Sequence, residues 1–114
     1  MTKRDTSVYL RHMLTHAQEA TTLASGKTRA DLDSDRLLNL ALVRLLEIIG
    51  EAANRIPAEE QRRYPQIPWA QIVGLRNRLI HGYDSVDYDI LWQIVTHDVP
   101  SLIAVLETIA RPED

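Results

Sequence analysis

From Asp35 to Pro57 the chain reads Asp-Arg-Leu-Leu-Asn-Leu-Ala-Leu-Val-Arg-Leu-Leu-Glu-Ile-Ile-Gly-Glu-Ala-Ala-Asn-Arg-Ile-Pro. Leu38, Leu42, Leu45, Ile49, Ala52 and Ile56 recur at helical spacing and form one stripe. Leu37, Leu40, Val43, Leu46 and Ile48 widen that stripe well past a single face. A helix this apolar is central to a bundle or shared with another subunit. Gly50 sits inside it, where glycine costs roughly 1 kcal/mol relative to alanine, and it permits the close backbone approach of a neighbour.

The remaining segments carry the same period. Asp5 or Thr6 is the expected cap of a first helix that continues to Ser25 and stops at Gly26. Tyr9, Met13, Ala17, Ala20 and Ala24 make its apolar face. Asp31, Asp33 and Ser34 are available as caps before the apolar helix, which Pro57 ends. Residues 58–63 suit a short helical turn, and Pro65 and Pro68 exclude regular structure between them. A third main helix is expected from Trp69, with Pro68 near its first position and Gly82 just past its end. Asp87 can cap the last pattern, Leu91, Ile94, Val95, Val99, Leu102, Leu106 and Ile109. That pattern keeps phase across Pro100, which predicts a kinked helix or two nearly collinear ones. No strand-like alternation of useful length and no internal repeat are found. The expected fold is all-α: an antiparallel bundle of four main helices plus a short one, forming a single domain over 1–114.

Composition narrows the chemistry. The 114 residues suit one modest core, for which oligomerisation would help. With no cysteine there is no thiol nucleophile and no disulfide framework. No apolar signal core is visible, and no stretch approaches the roughly 20 apolar residues of a membrane span. A soluble, cytoplasmic protein is therefore expected. The net charge of −3 argues against broad coating of nucleic acid. Its distribution is uneven: residues 61–83 hold Arg62, Arg63, Arg76 and Arg78 and no acid, whereas residues 84–114 hold seven acids and one arginine. A local basic patch on an acidic body suits one anionic ligand bound at one place.

Inside that basic stretch lies Arg76-Asn77-Arg78-Leu79-Ile80-His81-Gly82-Tyr83. Arginine braces a phosphate in bidentate fashion. An imidazole takes or gives a proton near neutral pH. Asn77 can hydrogen-bond a substrate or hold its neighbour. On a straight helix Arg76 and His81 would stand roughly 140° apart. They meet only if the helix ends near His81, where the helix dipole would favour the protonated ring. Cleavage of RNA by its own 2′-hydroxyl needs only such proton transfer and charge stabilisation, with no metal or cofactor. The same residue types also cap carbonyls at helix ends, which is the structural alternative.

The arrangement Arg76-x4-His81-x-Tyr83 resembles the signature of HEPN-domain ribonucleases, and its tyrosine-bearing form resembles the HepT toxin family. The order of Ile49-Gly50-Glu51-Ala52-Ala53-Asn54-Arg55, Ile67-Pro68-Trp69, the motif, Asp87-Tyr88 and Asp98-Val99-Pro100 is similar to that family as well. The resemblance implies a HEPN-like helical fold and a homodimer, with scope for higher assembly, whose interface cleft unites two motif copies. It implies Arg76 and His81 as the catalytic pair and Asn77 in support; Arg78, beside them, is the candidate RNA-binding residue. It also implies a toxin restrained by an MntA-like nucleotidyltransferase antitoxin. That partner would transfer adenylyl groups from ATP to Tyr83, where their negative charge would occupy Arg76.

Other residues weigh less. His12 and His16 have metal-ligand spacing but no third ligand in sequence, so a solvated face is the better reading. Glu47 and Glu51 are four apart on the apolar helix. One of them can pair with Arg55 or reach Arg76 across the bundle, and Glu51 is the candidate orienting residue. His97 is expected to be partly buried or capping, and Trp69 and Trp92 to be core or interface anchors. The rival function is a non-catalytic interaction module, in which Arg76 binds a nucleotide or acidic group of a nucleotidyltransferase partner without turnover.

Overall fold

The computed structural model describes residues 2–81 and 85–109. Helix α1 (Lys3–Ala24) begins at Thr2, not at Asp5 or Thr6. The Thr2 hydroxyl accepts from the Asp5 backbone N–H, and the Asp5 carboxylate accepts from the Thr2 N–H, so two otherwise unpaired donors are satisfied reciprocally. The Thr2 N–H and the Thr2 hydroxyl both donate to that carboxylate and hold it below its usual pKa. The helix ends one residue before Ser25, and Gly26 takes a left-handed conformation at φ 77°, as a glycine just beyond a helix end does. Its buried face is Thr6, Leu10, Met13, Leu14, Ala17 and Ala20; Tyr9 and Ala24 lie only at the edge of the core.

A short helix α2 (Asp31–Ser34) buries Leu32 and leads to Asp35, whose side chain accepts from the Leu38 N–H and caps α3 (Arg36–Arg55). All six residues of the predicted stripe are buried. Of the residues that widen it, Leu46 is buried, Val43 and Ile48 are half-buried, and Leu37 and Leu40 face solvent, at 81% and 49% exposure. Asn39 is buried within this helix and donates to the Leu32 carbonyl. Pro57 precedes the short α4 (Ala58–Gln61).

The predicted third main helix is divided. It forms α5 (Trp69–Val73) and α6 (Leu75–Leu79), which meet at Gly74. Gly74 has φ −85° and ψ 5°, so it ends one helix and opens the next. Glycine is the residue least committed to helix after proline, which is why the break falls there. Helix α6 also stops before His81. Ile80 turns extended, and Ile80–His81 (β1) pairs antiparallel with Ser85–Val86 (β2), in the register Ile80 to Val86 and His81 to Ser85. Two residues per strand are too few to show alternation, so nothing in the sequence announced the ladder.

From Tyr88 to Glu107 the chain forms one continuous helix: α7 (Tyr88–Gln93), a π-helical turn (Ile94–Asp98) and α8 (Val99–Glu107). Asp87 caps it by accepting from the Ile90 N–H. The π turn ends two residues before Pro100, which has no N–H to give to the carbonyl four residues back, Thr96 within that turn, and whose ring crowds it. By length and composition this helix, with a mean hydropathy of 1.2 in its most apolar window, is long and apolar enough to cross a membrane, contrary to the expectation from sequence. Leu91, Ile94, Val95, Val99, Leu102 and Leu106 are buried in the shared core, the place of a central bundle helix.

Helix α1 packs against α3 and α8, and α3 packs against α5 and α6. The fold is all-α, with the small ladder as its departure from the expected bundle. Arg29 ties the loop after α1 to the last helix. Its Nε lies 2.7 Å from Asp89, its Nη1 3.2 Å from Asp33, and its guanidinium 5.9 Å from the Tyr88 ring centre. The bonds to Asp89 and then Asp33 raise its pKa further.

Candidate active site

Helix α6 is five residues long, and it carries Arg76, Asn77 and Arg78. Leu75 and Leu79, four apart, are its buried face and anchor it. Arg76 and Arg78 are two apart, which turns them roughly 200° from one another. They therefore serve different sides of the helix, and the sequence reading that grouped them is not what the packing produces.

On one side Arg76 reaches helix α3. Its Nε lies 3.3 Å from the Glu47 carboxylate. Glu47, Gly50, Glu51, Asn54, Val73 and Arg76 line a groove of about 140 Å³. Gly50 makes this proximity feasible. A Cβ built there would stand 3.0 Å from the Ile72 carbonyl oxygen, so only glycine lets α3 and α5 come this close without displacement. The carboxylate on Arg76 is thus Glu47; Glu51, the expected orienting residue, faces the same groove and pairs with Arg44 at 3.4 Å. The four-residue spacing of the two acids on an apolar helix was the signal for both. Asn54 and Val73 carried no such signal.

On the other side Arg78 pairs with Asp98 of the π turn, Nη1 to carboxylate 3.3 Å. That pair edges a cavity of about 300 Å³ whose walls are mostly apolar, with Ile49, Ile72, Leu75 and Leu102 among them. Asn77 is exposed between the two arginines.

His81 sits in β1, two residues past the end of α6. Helix α6 thus ends near His81, the condition the sequence set for the two side chains to meet. The backbone of His81 is described. Its side chain, the predicted convergence with Arg76, and the assignments to Gly82 and Tyr83 lie outside the described residues.

The remaining candidates take ordinary places. His16 donates from Nδ1 to the His12 carbonyl at 2.7 Å, which spends one of its two ring nitrogens on the helix backbone. Among the described residues no three His, Cys, Asp or Glu side chains gather to hold a metal ion. His97 is exposed, not partly buried. Trp69 donates to the Tyr64 carbonyl and, like Trp92, packs on the core. Arg63 pairs with Glu60, while Arg62 is exposed.

Comparison with known proteins adds a family to this geometry. The model of the family described as "HepT-like: Ribonuclease HepT-like" matches residues 13–109. The chain is 36% identical over 109 residues to "Putative RNase MJ1380" of Methanocaldococcus jannaschii, covering 96% of this chain and 100% of that one. It is 41% identical over 81 residues to "Probable ribonuclease HepT" of Thermococcus cleftensis, covering 71% and 74%. No solved structure matches.

Proposed function

This chain belongs to the HepT-like ribonuclease family and is an endoribonuclease, and from there we propose a metal-independent toxin that cleaves cytoplasmic RNA with Arg76 and His81. The observation that carries the reading is Arg76 itself. It is an exposed arginine on the rim of a groove, on a short helix whose chain continues within two residues to His81. In the proposed reaction a neutral imidazole takes the proton of a ribose 2′-hydroxyl, and that oxygen attacks the adjacent phosphorus. The 5′-oxygen leaves with a proton from a protonated imidazole, and a 2′,3′-cyclic phosphate remains. Arg76 offsets the charge that builds on the phosphoryl oxygens. Two copies of His81 in one cleft would supply both protonation states, which favours a homodimer. Exposed Leu37, Leu40 and Val73 on α3 and α5 are the apolar surface such a dimer would cover.

The proposed restraint is an MntA-like nucleotidyltransferase. The Tyr83 phenolate would attack the α-phosphorus of ATP and release pyrophosphate, placing a phosphodiester where the RNA phosphate must bind.

RNA cleavage in EDTA tests the nuclease. Wild type should cut and leave cyclic phosphate ends, whereas Arg76→Ala and His81→Ala should lose at least about a hundredfold in rate, the usual worth of a charge-stabilising donor and of a positioned acid or base. Equal rates would discard the assignment. Mass spectrometry with the partner and ATP tests the restraint: an adenylyl increment on Tyr83 is expected, and an unmodified tyrosine would reject that part alone.

A further inference from the structure

We infer that Glu47 is a positioning residue for Arg76, an inference that rests on the nuclease reading and names what aims its phosphate-binding group. Arginine has a long side chain with many rotamers, and ordering it is entropically costly. Helix α6 supplies little help, since it is five residues long between Gly74 and β1. Among the described residues the one side chain paired with Arg76 is Glu47, 29 positions earlier in the chain. Their exposures differ in an informative way. The Glu47 side chain is 22% exposed and set into the groove wall; the Arg76 side chain is 64% exposed and reaches out from it. The acid is the fixed member and the arginine the one being held.

The contact is through Nε. A guanidinium held at Nε keeps its two Nη groups free as a fork, the arrangement that meets two phosphate oxygens. The close approach of α3 to α5 at Gly50, one turn beyond Glu47, sets the distance from which the carboxylate reaches. Stability does not account for the pair, because half-exposed ion pairs contribute little. Affinity for an anion does not account for it either, since a carboxylate beside a phosphate site repels the substrate. Orientation is the benefit that outweighs that repulsion.

Glu47→Gln and Glu47→Met separate these effects. Both remove the charge and nearly conserve volume, and they differ in whether an oxygen remains to accept from Nε. With RNA in EDTA, Glu47→Gln should keep kcat within about threefold of wild type, whereas Glu47→Met should lose about tenfold, which is about 1.4 kcal/mol in the barrier. KM should fall or stay level in both, because repulsion is relieved in both. The Arg76 Nε–Hε proton provides a readout independent of catalysis and of RNA. Its NMR resonance, assigned by its loss in Arg76→Lys, should be protected from exchange in wild type and Glu47→Gln and exposed in Glu47→Met. Thermal unfolding should change little in either variant. A Glu47→Met enzyme with wild-type or higher kcat overturns the inference, as does an unprotected Nε–H in the wild type. If Arg76→Ala cleaves like wild type, the nuclease reading itself falls. If Arg76→Ala is inactive while Glu47→Met is not, only the positioning role falls.

Discussion

Single side chains in this fold are governed by whether their polar atoms find partners. Buried Asn39 spends its amide on the Leu32 carbonyl, holding the turn that feeds α3. Asn39→Leu leaves that carbonyl unpaired and should cost about 1–3 kcal/mol, read as a lower urea midpoint. Thr6 is the converse. It is 3% exposed, and its hydroxyl has no hydrogen-bond partner among the described residues. Thr6→Val keeps the shape, removes the orphan group, and should leave stability level or raise it by about 1 kcal/mol; a lower midpoint would refute the assignment. Asp5 gives a pH dependence of known sign. Its folded pKa is depressed, so its contribution is present above the unfolded value and is lost as pH falls through the folded one. Asp5→Asn should flatten the acid limb of the stability curve by lowering the neutral region, where the charged carboxylate contributes, and leave the acid end nearly unchanged. Of these residues only the role of Asp5 at the start of α1 was near to hand in the sequence, and even there the cap proved to be Thr2. A capping box needs both partners to be recognised together.

At the level of helices, local rules carried far where the signal repeats. The stripe from Leu38 to Ile56, the stop at Gly26 and the cap at Asp87 all fell where periodicity and capping chemistry placed them. They failed where one residue decides between two outcomes. Gly74 lies inside the helix expected from Trp69, yet the chain breaks there, at a residue with little commitment to helix. Gly50 reads the same way and stays helical, because α3 is twenty residues long and its neighbour's backbone occupies the missing side-chain space. Gly50→Ala gains about 1 kcal/mol of helix propensity but pushes a methyl against the Ile72 carbonyl, an overpacking cost of about 1–3 kcal/mol. The net result should be a lower melting temperature together with slower RNA cleavage, since α5 carries the displacement toward α6. Unchanged cleavage would show that the groove tolerates the shift.

For the molecule as a whole, α1, α3 and the last helix complete a core and leave Leu37 and Leu40 of α3 in solvent. Leu37, at 81% exposure, is a large aliphatic surface for a lone monomer of 13.0 kDa. Sedimentation should therefore give a dimer mass. Leu37→Lys combined with Leu40→Lys should shift the equilibrium toward monomer and make cleavage fall steeply on dilution. A wild-type monomer at every concentration, with full activity, would remove the dimer from the mechanism.

Helical character, the order of the segments, the central place of residues 36–56 and the Arg76-x4-His81 motif were all written in the chain, because each arises from neighbours within about four residues or from residue chemistry alone. Which carboxylate meets Arg76, why Arg76 and Arg78 face different cavities, and the extended turn that carries His81 off its helix came from packing. Those outcomes depend on how closely α3, α5 and the last helix approach one another. A contact between residues 29 apart has no local signature until that approach is known.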